Sequence, residues 1–134
     1  MTRTGHCLCG ATRLRAEGEV HSVGHCYCRM CQQSSGALAV TWATFPIERV
    51  RLDGEIRWYE SSPRARRAFC KRCGASVAWQ KLESPRFIDL TVALFDEPQG
   101  LQPTYAIHAR TKPNWMHLDE HLPQHADGNE QEPE

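Results

Sequence analysis

Cys70-Lys71-Arg72-Cys73-Gly74 is half of a metal site, and whatever completes that site decides the fold. Two thiols on one tight turn can grip a single ion, and tetrahedral zinc takes four such sulfurs at about 2.3 Å. Cys7-Leu8-Cys9-Gly10, far upstream, offers a second pair of similar build. Each pair is followed at once by glycine, as expected where the chain must turn with positive φ and aim amide hydrogens at sulfur. Joining the two pairs predicts a closed structural zinc held by Cys7, Cys9, Cys70 and Cys73, which ties the start of the chain to its middle.

The other thiols stand together in Cys26-Tyr27-Cys28-Arg29-Met30-Cys31. The chain has 7 cysteines, four plus three, so this cluster is one ligand short of a closed site. A zinc on three protein ligands keeps an open position, which is what separates a catalytic or ligand-binding site from a structural one. Cys26, Cys28 and Cys31 are therefore the candidate catalytic residues and the ligands of a second zinc. Cys31 is followed by Gln32-Gln33-Ser34-Ser35 before Gly36, so this cluster is built differently from the two knuckles.

Three other readings compete. Disulfides fit poorly with an odd count and with Met1-Thr2-Arg3-Thr4-Gly5, which is no signal peptide. A redox dithiol at Cys28 and Cys31, or at Cys70 and Cys73, leaves Cys7 and Cys9 without a purpose. A histidine, His6, His21 or His25, completing the second site would make both zincs structural. His25 is the strongest of these, although a neighbour of a ligand is expected to point away from the metal.

The chain has 134 residues, enough for one domain with zinc as added support. Its 16 Lys and Arg balance 16 Asp and Glu, which removes any bulk attraction to nucleic acid or to an anionic membrane. No apolar run approaches the roughly 20 residues that span a bilayer, so a soluble, cytoplasmic protein is expected.

Local patterning favours strands. Ala11–Ala16 alternates, as do Val50-Arg51-Leu52 and Ile56-Arg57-Trp58, with Asp53-Gly54 between them as a hairpin signal. Ala39–Ala43 reads as a buried strand closed by Phe45-Pro46, and Ser76–Gln80 and Phe87–Ala93 as two more. Pro63, Pro85, Pro98, Pro103 and Pro113 leave little room for helix beyond one short piece after Cys28. His117, His121 and His125 are spaced for one helix face, but Pro123 interrupts it, and Leu118 and Leu122 read as core anchors rather than a metal motif. The expected fold is a mainly β single domain of short antiparallel strands over residues 1–125. A polar, acidic stretch, 126–134, is expected to be a disordered tail.

These clusters, with Trp42-Ala43, Phe45-Pro46 and Lys112-Pro113-Asn114-Trp115, resemble the glutathione-dependent formaldehyde-activating enzyme family, whose domain is shared with centromere protein V. The likeness runs from about Gly5 to Pro123. It implies a β-tent fold related to zinc ribbons, with two zinc sites. By the family pattern Cys7, Cys9, Cys70 and Cys73 match the structural site, and Cys26, Cys28 and Cys31 the site near which glutathione acts. One position departs: many relatives carry histidine where this chain has Tyr27, and tyrosine cannot carry protons near neutral pH as histidine does.

The implied activity is that of a carbon–sulfur lyase, working in either direction on the adduct of glutathione or a similar thiol with formaldehyde or a small aldehyde. An open zinc position would lower the pKa of the thiol and raise its thiolate fraction. Electron-rich sulfur ligands make such a zinc a weak Lewis acid, so thiol chemistry is expected ahead of water activation. Three thiolates on zinc carry a net negative charge, and a thiolate substrate adds another. The run Arg64-Ala65-Arg66-Arg67, followed by Lys71 and Arg72, reads either as a partner for glutathione carboxylates or as a solvated strand face beside the structural zinc. The partners expected are a small thiol and an aldehyde, not a membrane or nucleic acid. The alternative is a non-catalytic zinc module that contacts a protein or nucleic acid.

Overall fold

Side-chain alternation across a pleat accounts for most of the architecture. A computed structural model describes residues 1–128. In β2, Thr12–Glu17, the residues Thr12, Leu14 and Ala16 are buried while Arg13, Arg15 and Glu17 face water. β2 lies between β1, Thr2–His6, and β5, Val50–Gly54, in a three-stranded antiparallel sheet. The larger sheet has seven strands in the order β10 (Tyr105–Ile107), β3 (Ser22–Cys26), β4 (Val40–Pro46), β9 (Phe87–Thr91), β8 (Ser76–Lys81), β7 (Ala65–Cys70), β6 (Ile56–Tyr59). Its pairings are antiparallel except β10 on β3. The one α-helix among the described residues, α1, spans Arg29–Ser35, where a short helical piece was expected.

The register divides the large sheet into two unlike faces. Val23, Ala43, Leu90, Ala78 and Ala68 are successive partners across five strands and all are buried. They join Leu14 and Ala16 of the small sheet in one apolar core, so the two sheets close on each other through this face. A fully buried leucine or phenylalanine such as Leu90 or Phe45 contributes about 1.5–3 kcal/mol. One residue along each strand, the opposite face carries the row Ser22, Thr44, Asp89, Trp79, Arg67, Tyr59. Cys26 and Trp42 share that face by parity, in a second cluster with Cys31, Val40, Tyr105 and Ile107.

The mainly β expectation holds, with two local corrections. Asp53-Gly54 does not make a hairpin: β5 pairs with β2, whereas β6 pairs with β7 in the other sheet. The chain crosses between sheets at Glu55, whose N–H donates to Ala11 O and whose carbonyl accepts from Lys71 N and Thr12 Oγ1. Gly54 takes φ 95° there, and a Cβ would sit 1.9 Å from Ala11 O, so the glycine serves the crossing rather than a two-residue turn. Leu118 and Leu122 are only half-buried and belong to neither apolar cluster, because their segment forms isolated turns rather than a packed helix.

Residues 123–127 run beside β10, with Ala106 N–H donating to Pro123 O and His125 N–H to Ala106 O at 2.9 Å each. Of the tail expected from residue 126, Asp127 pairs with Arg110 at 3.0 Å, and 129–134 lie outside the described residues. No helix among the described residues is long and apolar enough to cross a membrane.

Candidate metal centres

Two knuckles bring the first set of thiols together. One follows β1 and carries Cys7 and Cys9; the other joins β7 to β8 and carries Cys70 and Cys73. Gly10 at φ 79° and Gly74 at φ 80° close the turns, donating their N–H groups to Cys7 O and Cys70 O. The amides that reach sulfur are further along or within the knuckle: Thr12 N–H lies 3.2 Å from Cys7 Sγ and Arg72 N–H 3.4 Å from Cys70 Sγ. The Thr12 hydroxyl, helped by the Cys73 and Arg72 amides, holds the Cys70 thiol down to about 6 against the effect of burial.

The four sulfurs lie within 4.8 Å of one another, with Cys7 to Cys9 at 3.7 Å and Cys9 to Cys70 at 3.8 Å. Bonds of about 2.3 Å in a tetrahedron place sulfurs roughly 3.8 Å apart, so the donor set has the size and softness that zinc requires.

The second set forms where β3 runs into α1. Cys26 ends β3 and Cys28 caps the helix, its Sγ accepting from Cys31 N–H at 3.2 Å. Cys31 Sγ reaches Cys26 Sγ at 3.6 Å, again close to a tetrahedral edge, and the three sulfurs lie within 4.8 Å. Cys26 and Cys31 are buried while Cys28 is half-exposed. Hydrogen bonds from Cys26 and Cys31 hold the Cys28 thiol well below its ordinary range, whereas Cys26 is pushed up, first by Cys28 and then by Cys31.

No histidine joins either group among the described residues. Both His25 ring nitrogens are engaged elsewhere, Nδ1 with Thr41 Oγ1 at 2.9 Å and Nε2 with Asp119 Oδ2 at 2.8 Å. Strand alternation turns His25 away from Cys26, as expected of a neighbour. His6 Nδ1 meets Cys7 O, and His21 lies against the Phe87 ring at 4.7 Å. His117 pairs with Glu120, and His125 is held through its backbone.

The basic run splits by parity. Arg66 bonds Gln80 Oε1 through Nε and Nη2 and stacks 3.9 Å from the Trp58 ring, and Lys71 pairs with Glu55 at 3.0 Å. Arg67 faces the other way and is only 7% exposed. Its Nη1 and Nη2 each lie 3.5 Å from Cys31 Sγ, and Nη1 is 3.3 Å from Ser34 Oγ. Neither sequence reading of this run placed Arg67 on the second thiol cluster; both faces of Ala65-Arg66-Arg67-Ala68-Phe69 carry an arginine and an apolar residue, so its alternation holds no signal of which arginine turns inward.

Tyr27, between two of these cysteines, is fully buried, and its hydroxyl has no hydrogen-bond partner. Its backbone is pinned instead, N–H to Ile107 O at 3.1 Å and carbonyl to Thr111 Oγ1 at 2.7 Å. Burial first, then the charges of Asp119 and Glu120, push the phenol pKa up.

The family profile described as glutathione-dependent formaldehyde-activating enzyme matches residues 2–111. An uncharacterized lyase of Schizosaccharomyces pombe is 30% identical over 87 residues, 63% of this chain and 64% of that protein, so less than two thirds of the relative's length is spanned. The crystal structure of a Rhodobacter sphaeroides protein superposes with a TM-score of 0.57 at 24% identity, over 69% of this chain and 87% of that one, a likeness of fold alone.

Proposed function

This chain belongs to the glutathione-dependent formaldehyde-activating enzyme family, and from that membership we propose a zinc-dependent carbon–sulfur lyase. Its substrate is the adduct of glutathione, or a similar thiol, with formaldehyde or a small aldehyde, made or broken in either direction. Cys7, Cys9, Cys70 and Cys73 hold a structural zinc; Cys26, Cys28 and Cys31 hold a second. The observation that carries the reading is the second cluster: three thiols within 4.8 Å of one another, Cys26 and Cys31 at a tetrahedral edge of 3.6 Å, with the nearest histidine in sequence, His25, committed to Thr41 and Asp119.

Bound there, zinc supplies a position that favours a substrate sulfur as thiolate. Cleavage of the adduct removes the hydroxyl proton, forms the carbonyl and leaves the carbon–sulfur electron pair on sulfur. The chain's share in this is electrostatic. Cys28 presents the cluster to solvent, and the Arg67 guanidinium offsets its negative charge from the buried side. Tyr27 stands where many members of the family carry histidine, but a buried phenol with a raised pKa does not accept a proton near neutral pH. A base other than Tyr27, water included, therefore takes the hydroxyl proton.

Exchange spectroscopy on mixtures of formaldehyde and glutathione tests the proposal. The protein should speed interconversion of the free components and the adduct, and Cys28→Ser should abolish the acceleration. An exchange rate that the protein leaves unchanged would refute the lyase reading and favour a binding module.

A further inference from the structure

A guanidinium is charged at every pH a protein experiences, so a buried one requires an anion. Arg67 is 7% exposed, and its hydrogen bonds are to Cys31 Sγ and Ser34 Oγ; its Nε is buried with no partner. No carboxylate pairs with it among the described residues, whereas Lys71, Arg110 and Lys112 all meet one. The anion within hydrogen-bond reach of Arg67 is the thiol cluster, since Asp89, on the same face beyond Trp79, accepts from Thr44. Register enforces the arrangement: Arg67 sits opposite Trp79 on the face of the large sheet that bears Cys26 and Trp42. The Ser34 hydroxyl, one turn along α1 from Met30, steadies one end of the fork.

We propose that Arg67 is a positioning residue that sets the charge of the second centre and thereby selects an anionic ligand for its open position. The inference rests on the metal and thiol reading above. Three thiolates on a divalent ion carry net minus one, and Arg67 brings the buried unit to zero. A thiolate arriving at the open position then makes minus one; without Arg67 it would make minus two in a largely desolvated site. A neutral ligand adds nothing in either case. Removing Arg67 therefore penalises thiolate binding and leaves neutral ligands nearly unaffected. A purely structural arginine would change both alike.

Cobalt-loaded full-length protein separates these outcomes, because a new ligand alters the cobalt absorption bands. Glutathione serves as the anionic probe and imidazole as the neutral one. Arg67→Met should weaken the glutathione response at least about tenfold, the scale of losing one partner of a buried charge pair. Imidazole affinity should stay within about twofold, and Arg67→Lys should recover most of the glutathione response. Equal losses for both probes, or no loss for glutathione, would overturn the inference. Should Arg67→Met fail to take up cobalt, Arg67→Gln, which keeps a donor amide without the charge, decides: a loss confined to glutathione supports the proposal, and a parallel fall in both probes or no fall defeats it. A wild-type spectrum unmoved by glutathione would instead sink the thiolate-docking reading, and this inference with it. A normal wild-type response with an indifferent Arg67→Met would sink this inference alone.

Discussion

Tyr27→Phe should make the protein more stable and leave its chemistry intact. The side chain is 0% exposed and its hydroxyl has no hydrogen-bond partner, so the folded state carries a desolvated polar group with nothing in return. Leaving a buried donor unsatisfied costs about 1–3 kcal/mol. Phenylalanine keeps the ring, with Lys112 Nζ 6.0 Å from its centre, and keeps the backbone bonds to Ile107 and Thr111. Only the oxygen is lost, and it leaves too small a void to cancel the gain. A stabilisation of about 1 kcal/mol raises the melting temperature of a domain this size by roughly 3–5 °C. Thermal unfolding of the metal-loaded protein would measure this, alongside the glutathione–formaldehyde exchange rate, which should stay within about twofold of wild type. A fall in melting temperature would show that the hydroxyl is satisfied in solution. A fall in exchange rate with stability kept would show that the phenol takes part in the reaction after all.

Other consequences follow from the two centres and the crossing between sheets. Cys9→Ser should remove one equivalent of metal and collapse the cooperative melt, since structural zinc contributes folding free energy directly; Cys28→Ser should also lose one equivalent yet still melt cooperatively, as metal analysis with circular dichroism would show. In protein carrying one equivalent of metal, with the four-thiol site filled and the three-thiol site empty, iodoacetamide at pH 6 should modify Cys28 ahead of Cys26, because the neighbouring thiols lower Cys28 and Cys28 raises Cys26; peptide mass mapping giving the reverse order would contradict those shifts. Gly54→Ala should cost about 2 kcal/mol or more in urea unfolding, since the new Cβ meets Ala11 O at 1.9 Å and φ is 95°, whereas a true hairpin glycine would relax more cheaply.

Where a strand alternates apolar and polar residues, as in Thr12–Glu17, its position was readable in the sequence. β1, Thr2–His6, was not, because the only buried residue of its Thr-Arg-Thr-Gly-His is a glycine that carries no apolar signal. β10 has three residues, too short for any period to register. The false hairpin at Asp53-Gly54 has the same origin as the successful assignments: turn chemistry is local, but the partner of each strand is set by residues far away, here Ala11, Thr12 and Lys71.

The sequence by itself determined the donor chemistry. Seven thiols in three short clusters, two of them closed by glycine, specify how ligands group within a few residues, because a knuckle is a local object. Only the tertiary structure decided what surrounds those thiols. Whether Arg66 or Arg67 reaches Cys31 and whether His25 faces the cluster or Thr41 depend on strand register, and the burial of Tyr27 depends on the packing of the connection between β3 and α1. A slip of one residue would exchange the two faces of a strand, and no local pattern in a run of arginines records which face is turned inward.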